Sequence, residues 1–110
     1  MEKKVFVINR HGCQVCEMLE YELKYVHNIE ITSFTSSKTP EIFFEFQKQF
    51  KLDRFPVVQI DDGKEFITIH WDSNFIDNHS GPGGKPTHPY IKVDNVLPDM
   101  VNKTLELLQN

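Results

Sequence analysis

Four consecutive apolar, β-prone residues, Val5 to Ile8, constrain the fold of this chain more than any other segment. A strand that is apolar on both faces must be covered on both sides, which is typical of a strand with parallel neighbours in an α/β sheet. A chain of 110 residues has room for one such core and not for two. We therefore predict a single α/β domain over residues 1–110, with this strand near the middle of its sheet.

Hydrophobic periodicity predicts the element order β-α-β-α-β-β-α around a central four-stranded mixed sheet. The elements after the first strand are a helix over 13–27, a strand over 29–34, a helix that begins at Pro40, a hairpin over 57–71 and a helix over 97–108. In the first helix, Glu20 and Lys24 are placed to pair four residues apart. Apolar side chains mark its predicted buried stripe: Val15, Met18, Leu19, Leu23 and Val26.

Residues 72–94 form the longest predicted connection, an insertion between the fourth strand and the last helix. The segment is rich in glycine and proline, and connections of this length are either functional or without fixed structure. Residues 90–93 have the composition of a short additional strand that returns to the body of the protein.

The two cysteines, Cys13 and Cys16, are the sharpest chemical feature of the sequence. Two cysteines placed at random would stand three apart in only about 2% of arrangements, and here they follow a buried strand and open a helix. The positive end of the helix dipole favours a thiolate at Cys13, which makes Cys13 the nucleophile and Cys16 the resolving thiol. The structural alternatives are two buried small side chains or a permanent disulfide.

A zinc site is the other alternative, because His11 precedes the two cysteines. Structural zinc needs four ligands, and no second cluster with ligand spacing supplies the fourth. The remaining histidines are scattered, and we expect no metal: His27, His70, His79 and His88.

Pro56 opens the third strand, where its missing N–H does not interrupt the ladder of hydrogen bonds. On sequence alone, its peptide bond is expected to be trans. Together, the CxxC between the first strand and first helix, this proline, the hairpin and the final helix resemble the thioredoxin superfamily. The short first half is similar to its glutaredoxin branch, and the resemblance covers residues 3–71 and 95–109.

The resemblance implies a set of site residues. It implies that Pro56 is cis and faces Cys13, that the backbone of Phe55 pairs with a bound peptide or glutathione, and that Arg10 meets the glycine carboxylate of glutathione. The chain departs from the glutaredoxin pattern at Gln14 and Val15, where a Cys-Pro-Tyr-Cys sequence is usual, and lacks Gly-Gly-x-Asp after the fourth strand. The expected substrate contacts are Arg10, Gln14, Val15, Phe55, Pro56, Asp94 and Asn95.

We therefore expect a glutaredoxin-like thiol-disulfide oxidoreductase that reduces protein or glutathione mixed disulfides, with glutathione as co-substrate. One alternative is a thioredoxin-like reductant that receives electrons from a reductase. Another is a non-enzymatic binding module that contacts a partner through the insertion or an aromatic set: Phe43, Phe44, Phe46 and Phe50.

Composition excludes other classes of function. The net charge of −4 repels a phosphate backbone and argues against nucleic-acid binding. No apolar stretch approaches the roughly 20 residues that a membrane-spanning helix needs. We expect a cytoplasmic monomer without membrane association.

Overall fold

A computed structural model describes residues 3–50, 54–64, 66–71 and 90–109. The strands are β1 (Lys4–Asn9), β2 (Ile31–Thr35), β3 (Val57–Asp61), β4 (Phe66–His70) and β5 (Tyr90–Lys92). The helices are α1 (Gln14–Tyr21), which continues as a π-helical turn (Glu22–Val26), α2 (Pro40–Phe50) and α3 (Val96–Gln109). Among these described residues, no helix is both long enough and apolar enough to cross a bilayer.

The strands form one mixed sheet in the order β2-β1-β3-β4-β5. β1 runs parallel to β2 and antiparallel to β3, β3 runs antiparallel to β4, and β4 runs parallel to β5. The α/β class is confirmed, and β1 has a neighbour on each side as predicted. As a result, the C-terminal ends of β1, β2, β4 and β5 and the N-terminal end of β3 all lie along the same side of the sheet, the side where the strands end.

The prediction of a four-stranded sheet is wrong, because residues 90–92 add a fifth strand. Ile91 pairs with Ile69 of β4 and packs against the core, so the short strand buries apolar surface at the sheet edge. Of the predicted insertion over 72–94, residues 72–89 lie outside the described residues.

Helices cover both faces of the sheet, as the apolar run in β1 requires. Val7 faces the larger core, which α1, the π turn and α3 cover with Leu19, Leu23 and Met100. Ile8 points to the opposite face, where α2 contributes buried phenylalanines. Successive residues of a strand point to opposite faces, so α1 and α2 lie on opposite sides of β1.

The first helix differs from its prediction in its end and in its buried face. The α-helix stops at Tyr21, and the following π turn closes with the His27 N–H donating to the Glu22 carbonyl at 3.1 Å. Of the predicted buried stripe, Leu19 and Leu23 are buried, whereas the other three side chains are exposed to solvent: Val15, Met18 and Val26.

Candidate functional site

The two cysteines stand where β1 gives way to α1. The chain turns through Arg10 to Gly12, and the Cys13 N–H donates to the Arg10 carbonyl at 3.2 Å. Gly12 has φ +79°, a left-handed conformation that glycine adopts without the penalty a Cβ would bring. Cys13 is the N-cap of α1, and its Sγ accepts the Cys16 N–H at 3.1 Å.

Cys13 and Cys16 form a disulfide with their Cα atoms 5.2 Å apart. Their environments differ sharply. Cys13 is partly accessible to solvent, whereas Cys16 is 1% exposed and packs with Ile8, Phe43 and other residues of the smaller core. A reactant from solvent therefore reaches the sulfur of Cys13 first.

The segment before β3 lies against Cys13. The Phe55 carbonyl oxygen is 3.9 Å from Cys13 Sγ, and the Phe55–Pro56 peptide bond is cis, as the resemblance implies. The Phe55 ring is buried against the Phe43 ring, with centroids 4.8 Å apart. Packing of α2 thus fixes the backbone that borders the more exposed cysteine.

Arg10 is fixed beside the same group of residues. Its guanidinium lies over the Phe55 ring, 5.4 Å from the centroid, a cation–π geometry. Three of the sequence-predicted contacts therefore lie around the cysteine pair: Arg10, Phe55 and Pro56.

The other four predicted contacts lie in two separate places. Gln14 and Val15 are exposed on the first turn of α1, between the cysteines. Asp94 and Asn95 are exposed and follow β5, at the same sheet edge but three strand spacings from β1, about 14 Å. The Asn95 N–H donates to Asp99 Oδ2 at 2.8 Å, so Asn95 takes part in the start of α3. The glutathione contacts of all seven residues stay predictions.

A polar network that the sequence did not predict joins β1, α1 and β2. Asn9, buried at the end of β1, donates from Nδ2 to one oxygen of the Glu20 carboxylate, and the Ser33 hydroxyl donates to the other. The predicted Glu20–Lys24 pair is wrong, because these contacts hold Glu20 on the side of α1 that faces β1 and β2. Lys24 instead lies over the Tyr25 ring at 5.7 Å. One signal in the sequence could have indicated this: Glu20 follows Cys16 by four residues, so the two side chains share one face of α1.

Two members of the network, Asn9 and Glu20, line a pocket of about 240 Å³, here named the β1–β2 cleft. It lies between the β1–α1 connection and the turn that joins β2 to α2. The residues used below that line it are Asn9, Arg10, His11, Cys16, Glu17, Glu20 and Lys38.

The histidines do not assemble around the cysteines in the described part of the chain. His11 is exposed beside the pair, His27 follows the π turn, and His70 is buried in β4. His79 and His88 lie outside the described residues. Within the described ranges, no group of three histidine, cysteine, aspartate or glutamate side chains has the arrangement needed to hold a metal ion.

Comparison of the chain with protein-family models, with curated proteins and with solved structures finds no match in any of the three. The class of the protein therefore follows from its own geometry. It is an α/β protein with a mixed five-stranded sheet and a CxxC-spaced cysteine pair at disulfide distance, an arrangement compatible with redox function.

Proposed function

We propose that the protein is a thiol-disulfide oxidoreductase of thioredoxin-like fold, most similar to the glutaredoxins. One observation carries the proposal: a disulfide joins a partly accessible cysteine at a helix N-terminus to a buried cysteine one turn later. A permanent structural disulfide would have no need of this asymmetry, whereas a two-step exchange reaction uses both environments.

The reaction begins from the reduced protein. The Cys13 thiolate receives the Cys16 N–H and the positive end of the α1 dipole, which favour the anion over the thiol. The thiolate attacks one sulfur of the substrate disulfide, forms a mixed disulfide and releases the first substrate thiolate. The Cys16 thiolate then attacks the sulfur of Cys13, closes the intramolecular disulfide and releases the second. The substrate gains two electrons and the protein loses two, and the two released thiolates take up the two protons that the cysteines lost on ionisation.

Glutathione is the proposed electron donor, and Arg10 supports that choice. A guanidinium binds a carboxylate through two parallel hydrogen bonds, and stacking on Phe55 holds this one near the cysteines. The Phe55 backbone beside Cys13 offers hydrogen-bonding groups to an extended peptide. Asp94 and Asn95, at the same sheet edge, complete the proposed contacts.

A coupled assay tests this function. Reduction of a small mixed disulfide is followed with glutathione, glutathione reductase and NADPH, on wild type, Cys13→Ser and Cys16→Ser. We expect turnover in wild type, none in Cys13→Ser and partial turnover in Cys16→Ser, because glutathione replaces the second thiol.

Absence of glutathione-linked turnover in wild type would remove the glutaredoxin assignment. Insulin reduction by dithiothreitol then separates the alternatives. A thioredoxin-like reductant accelerates that reaction, whereas a binding module does not and keeps its function in the Cys13→Ser, Cys16→Ser double variant.

A further inference from the structure

The β1–β2 cleft lies at a topological switch point of the sheet. β1 and β2 are parallel neighbours, and the chain leaves β1 for α1 on one face and β2 for α2 on the other. Connections that diverge in this way open a crevice outside the carboxyl ends of the two strands, which is where α/β sheets bind small ligands. Cys16 also lines this crevice, and its sulfur is bonded to that of Cys13, so the crevice lies next to the redox pair.

Charges of opposite sign line this cleft from different elements. Arg10 and Lys38 bring positive charge from the two connections, and Glu17 and Glu20 bring negative charge from α1. None of these four side chains forms an ion pair with another residue in the described ranges. The neighbouring titratable group is His11, which lines the same cleft.

Two of the charged groups are held in place before any ligand binds. The Glu20 carboxylate accepts hydrogen bonds from Asn9 and Ser33, and the Arg10 guanidinium rests on the Phe55 ring. Groups that are fixed in advance lose little conformational entropy on binding. The cleft therefore presents one anionic and one cationic group at set positions.

From this arrangement we propose that the cleft binds the zwitterionic end of a small disulfide, an α-ammonium and an α-carboxylate close to the sulfur, as in cystine. The carboxylate meets the Arg10 and Lys38 side, and the ammonium meets the Glu17 and Glu20 side. A volume of about 240 Å³ is large enough for the end of an amino acid. The inference rests on the proposed oxidoreductase activity and names a substrate class for it.

The chemistry is the exchange described above with cystine as the disulfide. Cys13 forms a mixed disulfide with one cysteine and releases the other, and Cys16 then releases the bound cysteine as the protein disulfide closes. Two cysteine molecules and the oxidised protein are the products, so atoms and electrons balance.

Three disulfides with the same reacting bond test the proposal. Cystine carries both charges at each end, cystamine carries only the ammonium, and dithiodipropionate carries only the carboxylate. Reduced protein is mixed with each in about 0.15 M salt, where long-range steering is screened. Each second-order rate is divided by the rate of the same disulfide with dithiothreitol, which removes differences in intrinsic reactivity.

We expect the normalised rate with cystine to exceed each of the other two by about two- to fivefold, the change that loss of an exposed charge contact brings. The double variant Glu17→Gln, Glu20→Gln should remove the preference for cystine over dithiodipropionate, and the double variant Arg10→Gln, Lys38→Gln should remove the preference over cystamine. Glu45→Gln and Lys48→Gln, exposed substitutions on α2, are the matched controls and should change neither ratio.

Each result is decisive. Equal normalised rates for the three disulfides would overturn the cleft proposal and leave the oxidoreductase activity standing. Preferences that persist in both cleft variants would overturn it too, since the selectivity would then arise elsewhere. If none of the three disulfides and no insulin is reduced, the proposed function itself fails.

Discussion

Two adjacent phenylalanines on α2 give a matched test of how the fold supports the site. Phe43 is 1% exposed and packs under Phe55, whereas Phe44 is 55% exposed and meets Phe43 edge-on at 5.3 Å. Truncation of a buried phenylalanine to alanine costs about 3–5 kcal/mol, from lost burial and the cavity left behind. We expect Phe43→Ala to lower the free energy of unfolding by that amount.

The same substitution at Phe44 removes one edge-on ring contact, worth about 0.5–1.5 kcal/mol, and gains about 0.5 kcal/mol of helix propensity. We therefore expect Phe44→Ala to cost less than about 1 kcal/mol. Both variants receive the same residue at neighbouring positions of one helix, so their difference isolates burial.

Urea denaturation of the oxidised protein, followed by far-ultraviolet circular dichroism, measures both losses. A domain of this size has about 5–15 kcal/mol to lose, so Phe43→Ala can bring it close to unfolding. If that variant does not fold, Phe43→Leu should still fold, with a free energy of unfolding lower than that of wild type. Equal losses at the two positions would refute the packing of α2 described above.

Three further substitutions, at two positions, test the local structure where α3 and α1 begin. Asp99→Ala should cost about 1 kcal/mol, because it removes the acceptor for the Asn95 N–H at the start of α3. The loss is measured by the same urea denaturation. An unchanged midpoint would contradict a stabilising role for this hydrogen bond. Gly12→Ala should cost about 1–2 kcal/mol because Gly12 has a positive φ. Gly12→Asn should cost less, since asparagine tolerates that conformation. No atom outside the adjacent residues lies within 4 Å of the added Cβ, so a loss well beyond this range would point to a contact instead.

The elements that the sequence predicted best are those with unambiguous local signals. The apolar run of β1, Pro40 at the start of α2, and the Asp61 to Gly63 turn between β3 and β4 each restrict the backbone within a few residues. The CxxC spacing and the proline before β3 likewise located the cysteine pair and its neighbouring backbone, because both depend on chain position.

The features that the sequence did not predict depend on contacts between distant residues. Whether the side chain of Met18 is buried or exposed depends on where α3 packs against α1, and the periodicity of the sequence allowed both. The composition of residues 90–93 predicted a short strand, but its place in the sheet beside β4 depends on the pairing of Ile91 with Ile69. Glu20 had a possible partner in Lys24 on its own helix, whereas its actual partners come from β1 and β2.

The sheet order has a consequence for how the chain folds during synthesis. β1 needs β3 as well as β2 to complete its hydrogen bonding, and Val57 follows Asn9 by 48 residues. At about 5–20 residues per second, the ribosome takes about 2–10 s to supply that partner. Through that interval, the most apolar strand of the protein has one open edge, so Val5 to Ile8 is the segment that a nascent-chain chaperone would have reason to protect.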